Sequence, residues 1–323
     1  MFLPKNFHLL LLLSATIVFA GCDYNNPRLR KNKKPISFSS VEGITFTEVS
    51  RKQKNGLSFN EQGYHLAPEW RLRFEPKDSV ALYSPEKKQF VNFPLSRGID
   101  SIFATSHSFF KMLHMSKDSM VLDMLQAKDD TLDRTNSAVR MTFYADNYIK
   151  NNLHATIDQA RHVSHADSVF LKKLIGRANA DIKNAFAAQQ PVNFISKRPA
   201  MQVSFWHRTP KLYYNNYDYA DNYMTPTFDI TLSKAYKHFD YSLSVFVDAK
   251  GQITYRMPMV GFYGDDQAAA NYVKISKFIL DNYLKPNLTV VPGQTLGIPH
   301  TSIVTLHIHG RQPAFAQTVS ANK

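Results

Sequence analysis

Glu69-Trp70-Arg71-Leu72-Arg73-Phe74 is the stretch that decides the reading of the fold. Trp70, Leu72 and Phe74 alternate with charged residues, so every second side chain is apolar. A period of two belongs to a strand with one buried face. Pro76-Lys77-Asp78 then punctuates the chain, and two further apolar runs follow, Val80-Ala81-Leu82-Tyr83 and Gln89-Phe90-Val91-Asn92-Phe93, separated by Pro85-Glu86-Lys87-Lys88. Short strand-like runs between turn residues predict an antiparallel meander from Val41 to about Leu95.

Working outward, the spacing predicts a helix from Ile99 to Leu113 and two strands, Met120 to Met124 and Ala138 to Tyr144, joined by the polar stretch Lys128 to Arg134. The clearest helical period runs from Ser168 to Ala188, where Phe170, Leu171, Leu174, Ala178, Ile182, Ala185 and Phe186 share a face and Pro191 stops it. Pro199 to Asp240 is rich in aromatic and turn residues. Ser242 to Arg256 reads as a hairpin, Gln267 to Tyr283 as a helix, and Ile303 to Ile308 as a last strand. The expected fold class is α+β. Its expected organisation is an N-terminal strand-and-helix domain over residues 41–195, a C-terminal α/β domain over 196–316 and a disordered tail over 317–323.

The chain opens with one cation, Lys5, and an unbroken apolar run from Leu9 to Ala20. A spanning helix needs roughly 20 apolar residues, so this shorter run reads as a secretory signal over residues 1–21. It ends in Val18-Phe19-Ala20-Gly21-Cys22, which resembles the lipobox of bacterial lipoproteins. The resemblance implies cleavage before Cys22 and attachment of lipid to its thiol. It also implies a place in the cell envelope, with the outer membrane ahead of the inner. Cys22 is the sole cysteine, which excludes intramolecular disulfides, zinc ribbons and a catalytic thiol elsewhere. Residues 22–40 read as a tether carrying Arg28, Arg30, Lys31, Lys33 and Lys34, a cluster suited to an anionic lipid surface or, equally, to a plain solvated linker.

The net charge is +13. A surface so basic attracts polyanions, and for an exported protein these are lipid head groups and acidic polysaccharides rather than nucleic acid. Expected partners are membrane lipid through acylated Cys22 and envelope proteins or glycans; no cofactor is expected.

Two patches of the C-terminal third, Phe246-Val247-Asp248-Ala249-Lys250-Gly251-Gln252-Ile253 and Pro292-Gly293-Gln294-Thr295-Leu296-Gly297-Ile298-Pro299, bracket the helix at Gln267 to Tyr283. In that order they resemble the C-terminal domain of the TonB family over residues 225–310. The resemblance implies a small strand-strand-helix-strand module that binds protein. The family's inner-membrane helix and proline-rich spacer are missing, so energy transduction is not implied.

Few residues advertise chemistry. No G-x-S-x-G, phosphate loop, zinc-protease helix or dinucleotide fingerprint occurs. His307 and His309 project from one strand face and, with His300 nearby, are weak candidates for a metal, although an exposed final strand explains them as well. His162 and His165, near Asp158 and Asp167, form a second weak pair, more simply a solvated face. Asp129, Asp130 and Asp133 lack calcium-loop spacing and read as a turn. The densest unusual feature is Phe205-Trp206-His207 followed by Tyr213, Tyr214, Tyr217, Tyr219 and Tyr223, with Asp218, Asp221, Asn215, Asn216 and Asn222 interleaved. Rings beside hydrogen-bonding groups suit protein hot spots or sugar faces, or else pack beneath a loop. The expected function is therefore a non-enzymatic protein-binding lipoprotein; the alternative is a glycan-binding or glycan-cleaving one using residues 205–223.

Overall fold

The computed structural model describes residues 34–128, 131–206 and 220–313. Nine strands come first: β1 Thr45–Gln53, β2 Arg71–Glu75, β3 Ser79–Ser84, β4 Gln89–Pro94, β5 Ser96–Arg97, β6 Ile102–Thr105, β7 Ser108–Met115, β8 Ser119–Lys128 and β9 Thr131–Ala145. They form one antiparallel sheet in the order β4-β3-β2-β1-β9-β8-β7-β6-β5. Its two outermost strands are consecutive in the chain, separated only by Leu95. One bent run therefore pairs with β3 through its first half and β6 through its second. The bend falls at Pro94, which brings no backbone donor, and the Leu95 amide still reaches Asp78 O at 2.9 Å. The sheet thus curls into a nearly closed barrel, which removes the exposed edges of an open sheet.

The barrel interior is a packed core. Phe46, Leu72, Phe74, Val80, Phe103, Phe110, Met120, Leu122, Met141 and Phe143 are buried within it, joined by Phe38 and Val41 from the segment before β1. Phe38 stacks on Phe74 with ring centroids 4.0 Å apart and meets Phe103 edge-on at 5.2 Å. Each such pair adds about 0.5–1.5 kcal/mol beyond burial alone. Glu48 is also fully buried. Its carboxylate accepts from Arg51 Nε and Nη2, both at 2.7 Å, and from the amides of Glu69 and Trp70. Burial alone disfavours the Arg51 charge, but the Glu48 carboxylate beside it raises its pKa above the ordinary value.

Helices α1 Asp146–Asn151, α2 Ile157–Ala160 and α3 His165–Ala180 follow. Beyond them lie β10 Asn193–Ser196, β11 Met201–Phe205, α4 Asp221–Met224, β12 Thr227–Leu232, β13 Phe239–Val247, β14 Ile253–Pro258, α5 Asp266–Ile279, a π-turn Leu280–Leu284, β15 Leu288–Val291, β16 Gln294–Thr295, β17 Ile298–Pro299 and β18 Ser302–Gly310. Five of these strands make a second sheet, β11-β12-β18-β13-β14, in which β12 and β18 run parallel and the other pairs antiparallel. A separate core of Phe228, Ile230, Leu243, Val245, Val304, Leu306 and Ile308 packs against Ile279, Leu280 and Leu284. No helix among the described residues is long and apolar enough to cross a membrane.

Several expectations need correction. The chain is mostly β, dominated by the barrel-like sheet, and not α+β. Ile99 to Leu113 is no helix: it holds β6 and β7, joined at Ser106 and His107, both with positive φ (46° and 61°). The helix expected over Ser168 to Ala188 ends at Ala180, because Asp181 is extended (φ −143°, ψ 122°) and Phe186, Ala187 and Ala188 are buried outside any helix. The C-terminal part is a five-stranded mixed sheet, larger than the strand-strand-helix-strand module expected. Strands β11 and β12 come from the segment read as turns, and β18 is central rather than exposed at an edge.

Candidate functional site

A large recess lies beside α5. Asp265 starts this helix by accepting from the Ala268 amide at 2.8 Å, satisfying one of the donors that a helix N-terminus leaves open. Ile279 and then Leu280 and Leu284 of the π-turn face the core. Ile275, Phe278 and Tyr283 point away from it and are 43%, 57% and 47% exposed. A single helix cannot cover a five-stranded sheet, and the sheet end it leaves open is a groove of about 980 Å³. Phe239 and Tyr241 of β13, Met201 of β11 and Leu232 of β12 form the floor, with Ile275, Phe278 and Tyr283 as one wall.

The charges around this groove are one-sided. Arg198, Lys234, Lys237, Lys274 and Lys277 line it, against one acid, Asp281. Asp281 is taken by Lys285 at 2.6 Å. None of the five cations has a carboxylate partner among the described residues: Arg198 Nε donates to Asn287 Oδ1 at 2.7 Å, Lys237 lies 5.5 Å from the Tyr236 ring centroid and Lys277 lies 5.3 Å from that of Tyr255. Burial and the neighbouring Tyr272 push the Tyr241 phenol above its ordinary pKa, so it stays protonated. Tyr272 is locked differently, accepting from the Ser242 amide at 2.6 Å and donating to its carbonyl at 3.2 Å. An apolar floor under cations that have no carboxylate partner among the described residues can hold a ligand that is apolar on one side and anionic on the other.

The residues singled out from sequence scatter. Trp206 is 54% exposed. Tyr213, Tyr214, Tyr217 and Tyr219 lie outside the described residues, as does Cys22. Tyr223, expected on a binding surface with them, is instead 2% exposed. Its hydroxyl accepts from the His65 amide at 2.9 Å and donates to Gly63 O at 3.3 Å, tying α4 to the barrel's β1–β2 connection.

The histidines are engaged structurally. His307 Nδ1 meets Ser242 Oγ at 2.7 Å, and His309 Nδ1 meets Asp240 Oδ1 at 2.6 Å with Arg311 on the same carboxylate. The hydrogen bonds from Arg311 and His309 hold the Asp240 carboxyl below its usual pKa. His300 is fully buried and stacks on Phe186 at 3.9 Å. Its Nδ1 lies 3.1 Å from Thr301 O, a pure acceptor, so the proton sits there and Nε2 accepts from Thr295 Oγ1 at 2.9 Å. Among the described residues no group of three or more His, Cys, Asp or Glu is placed to hold a metal. His162 and His165 share no helical face, since α2 ends at Ala160 and His165 opens α3. Asp167 is buried with its carboxylate on the Ser58 amide.

Sequence reading missed the groove. Its cations come from three separate segments that only the fold brings together. The one local signal was Lys274-Ile275-Ser276-Lys277-Phe278, where cations and rings share a helix wider in its apolar face than its own sheet requires.

No family profile matches the chain. No curated protein matches it either. Among solved structures, bovine odorant binding protein complexed with its natural ligand is similar at 16% identity, over 48% of this chain and 93% of that one, with a TM-score of 0.22, a likeness too slight to bear on what this chain does.

Proposed function

We propose that this chain is a membrane-anchored envelope lipoprotein that works as a non-enzymatic binding module. In this reading the groove beside α5 docks an acidic, apolar-faced segment of a partner protein. The observation that carries it is the groove itself: exposed Phe278, Tyr283 and Ile275 over an apolar floor, ringed by Arg198, Lys234, Lys237, Lys274 and Lys277 without carboxylate partners. Ring-bearing pockets supply the anchors that dominate protein interfaces, and a one-signed rim supplies steering and register. The helix-in-groove mode, an amphipathic helix laying its apolar face into an apolar recess, suits such a groove. The anchoring half of the proposal rests on the apolar run from Leu9 to Ala20 and the lipobox-like ending at Cys22.

A photo-reactive phenylalanine analogue at Phe278, in the membrane-bound protein, tests the docking. One protein species should be cross-linked, and reversing Lys274 and Lys277 to Glu should remove at least nine-tenths of the adduct, roughly the effect of a tenfold loss in affinity. Labelling of lipid alone, or an adduct indifferent to the charge reversal, would sink the reading.

A further inference from the structure

A second, smaller cleft lies on the outer wall of the barrel. The barrel supplies one side through β1 and β9, and the chain between α2 and α3 supplies the other. Its volume is about 300 Å³, the low end of small-molecule sites.

Its charges are arranged against the barrel's own stability. Lys52 and Arg140 are direct cross-strand partners in the β1–β9 pair, and both line the cleft. Like charges placed opposite each other across two strands repel. Arg51, already paired with Glu48, also lines it, and a fourth cation, Arg161, faces them from the other side. Its Nε donates to Glu48 O at 2.9 Å, which fixes the guanidinium, and its two Nη groups have no hydrogen-bond partner among the described residues. Burial lowers the Arg161 pKa from its usual value, with Glu48, Asp158 and Glu69 acting the other way.

The acids nearby are already committed. Asp167, the acid in the lining, is 1% exposed and accepts from the Ser58 amide. Glu48 is saturated by Arg51 and two backbone amides. Asp123 grips Arg140 through Nε at 2.8 Å and Nη2 at 3.1 Å, from the neighbouring strand. Neither Lys52 nor Arg161 makes an ion pair among the described residues, although Glu48, Asp158 and Glu69 act on Arg161 electrostatically; the lining itself holds one acid, Asp167, so it carries more positive charge than that acid balances. Ser50 and Thr142, also cross-strand partners, add hydroxyls, and Tyr144 adds a ring.

We propose that this cleft binds an acidic monosaccharide unit, its carboxylate or phosphate held between Lys52, Arg140 and Arg161 and its hydroxyls by Ser50 and Thr142. Guanidinium forks recognise both oxyanions, and the Tyr144 ring suits the apolar face of a sugar. The site is separate from the groove beside α5.

Calorimetric titration of the full chain with glucuronate, glucose 1-phosphate and glucose tests the assignment. At least one of the two acids should bind and glucose should not, and the acid preferred tells carboxylate from phosphate. Lys52→Gln and Arg161→Gln should each weaken binding at least tenfold, with Arg161→Lys retaining part of it. The Lys52 side chain makes no hydrogen bond or ion pair among the described residues, so its variant stays informative if Arg161→Gln proves unstable. Arg198→Gln, in the other groove, should change nothing here. Binding of neither acid, equal binding of glucose, or indifference to Lys52→Gln would overturn the proposal.

Discussion

The barrel and the C-terminal sheet use strands to opposite ends. In the barrel, one bent run from Gln89 to Arg97 joins the two outer edges, and the enclosed space is filled by rings and methionines. A barrel of this size has an interior just wide enough for side chains to fill it, and Phe38 and Val41 add their side chains to that filling. The C-terminal sheet stays open, and α5 with its π-turn covers only part of one face, leaving Phe239 and Tyr241 beside a groove. The same type of residue therefore does two jobs. Phenylalanine fills the barrel, while on α5 Phe278 stays exposed beside the groove proposed as a docking site.

Truncation should separate those jobs most widely. Phe74 is fully buried and stacked on Phe38, so Phe74→Ala should cost about 3–5 kcal/mol. Phe278 is 57% exposed, and Phe278→Ala should stay within about 0.5 kcal/mol of the parent. Denaturant unfolding of both variants decides it. A large loss at Phe278 would mean the ring supports the C-terminal core and is not held in reserve for a partner.

How much of this was legible depends on turn chemistry. The strands around Trp70 and Phe74 were readable because alternation is strict and Leu72 and Phe74 are indeed both buried. The β6–β7 hairpin was not. Its two turn residues, Ser106 and His107, take the left-handed conformation that two-residue hairpins require, yet neither is the Asn or Gly that usually announces it. Lys77 and Asp78 do the same between β2 and β3. Barrel closure was hidden further, since it depends on one run pairing in two directions. The end of α3 was overridden by tertiary packing: Ile182, Ala185 and Phe186 continue the helical period, but Phe186 is pulled out to stack on His300. At the candidate site the apolar half of α5 was legible, while the ring of cations was not, because sequence distance conceals spatial convergence.

The two regions also meet, and the contact should respond to acid. His300 is buried and its pKa is lowered to about 4 by desolvation; His65, in the barrel's β1–β2 connection, is lowered to about 4 by the same cause. In the unfolded chain both would titrate near 6.5. Between these values the unfolded state binds more protons, so stability falls as pH drops from about 6.5 to 4. For fully buried His300 the loss is on the order of 3 kcal/mol across that window. His300→Phe keeps a ring against Phe186 and removes the titration. Unfolding midpoints measured across the window should show a shallower slope in the variant. An unchanged slope would place the acid sensitivity elsewhere.

The most local expected effect tests the junction itself. Gly63 has φ +86°, and a Cβ there would lie 2.4 Å from Ala187 O and 2.8 Å from Phe186 Cδ2. Its carbonyl accepts from the buried Tyr223 hydroxyl, and the neighbouring Gln62 carbonyl accepts from the Ala187 amide at 3.1 Å. Gly63→Ala must therefore both strain its backbone and push the barrel's connection off the 186–188 segment. The left-handed conformation alone costs about 1–2 kcal/mol. The clash falls on backbone, which cannot swing aside as a side-chain tip would. Because barrel and C-terminal sheet have distinct apolar cores, the loss should concentrate at the junction. Amide exchange at His65 and Ala187 should speed up by at least tenfold while Phe74 and Leu306 exchange as before. Equal acceleration at all four amides would mean that barrel and sheet unfold as one unit, and that the contrast between a filled barrel and an open sheet end is one of shape alone.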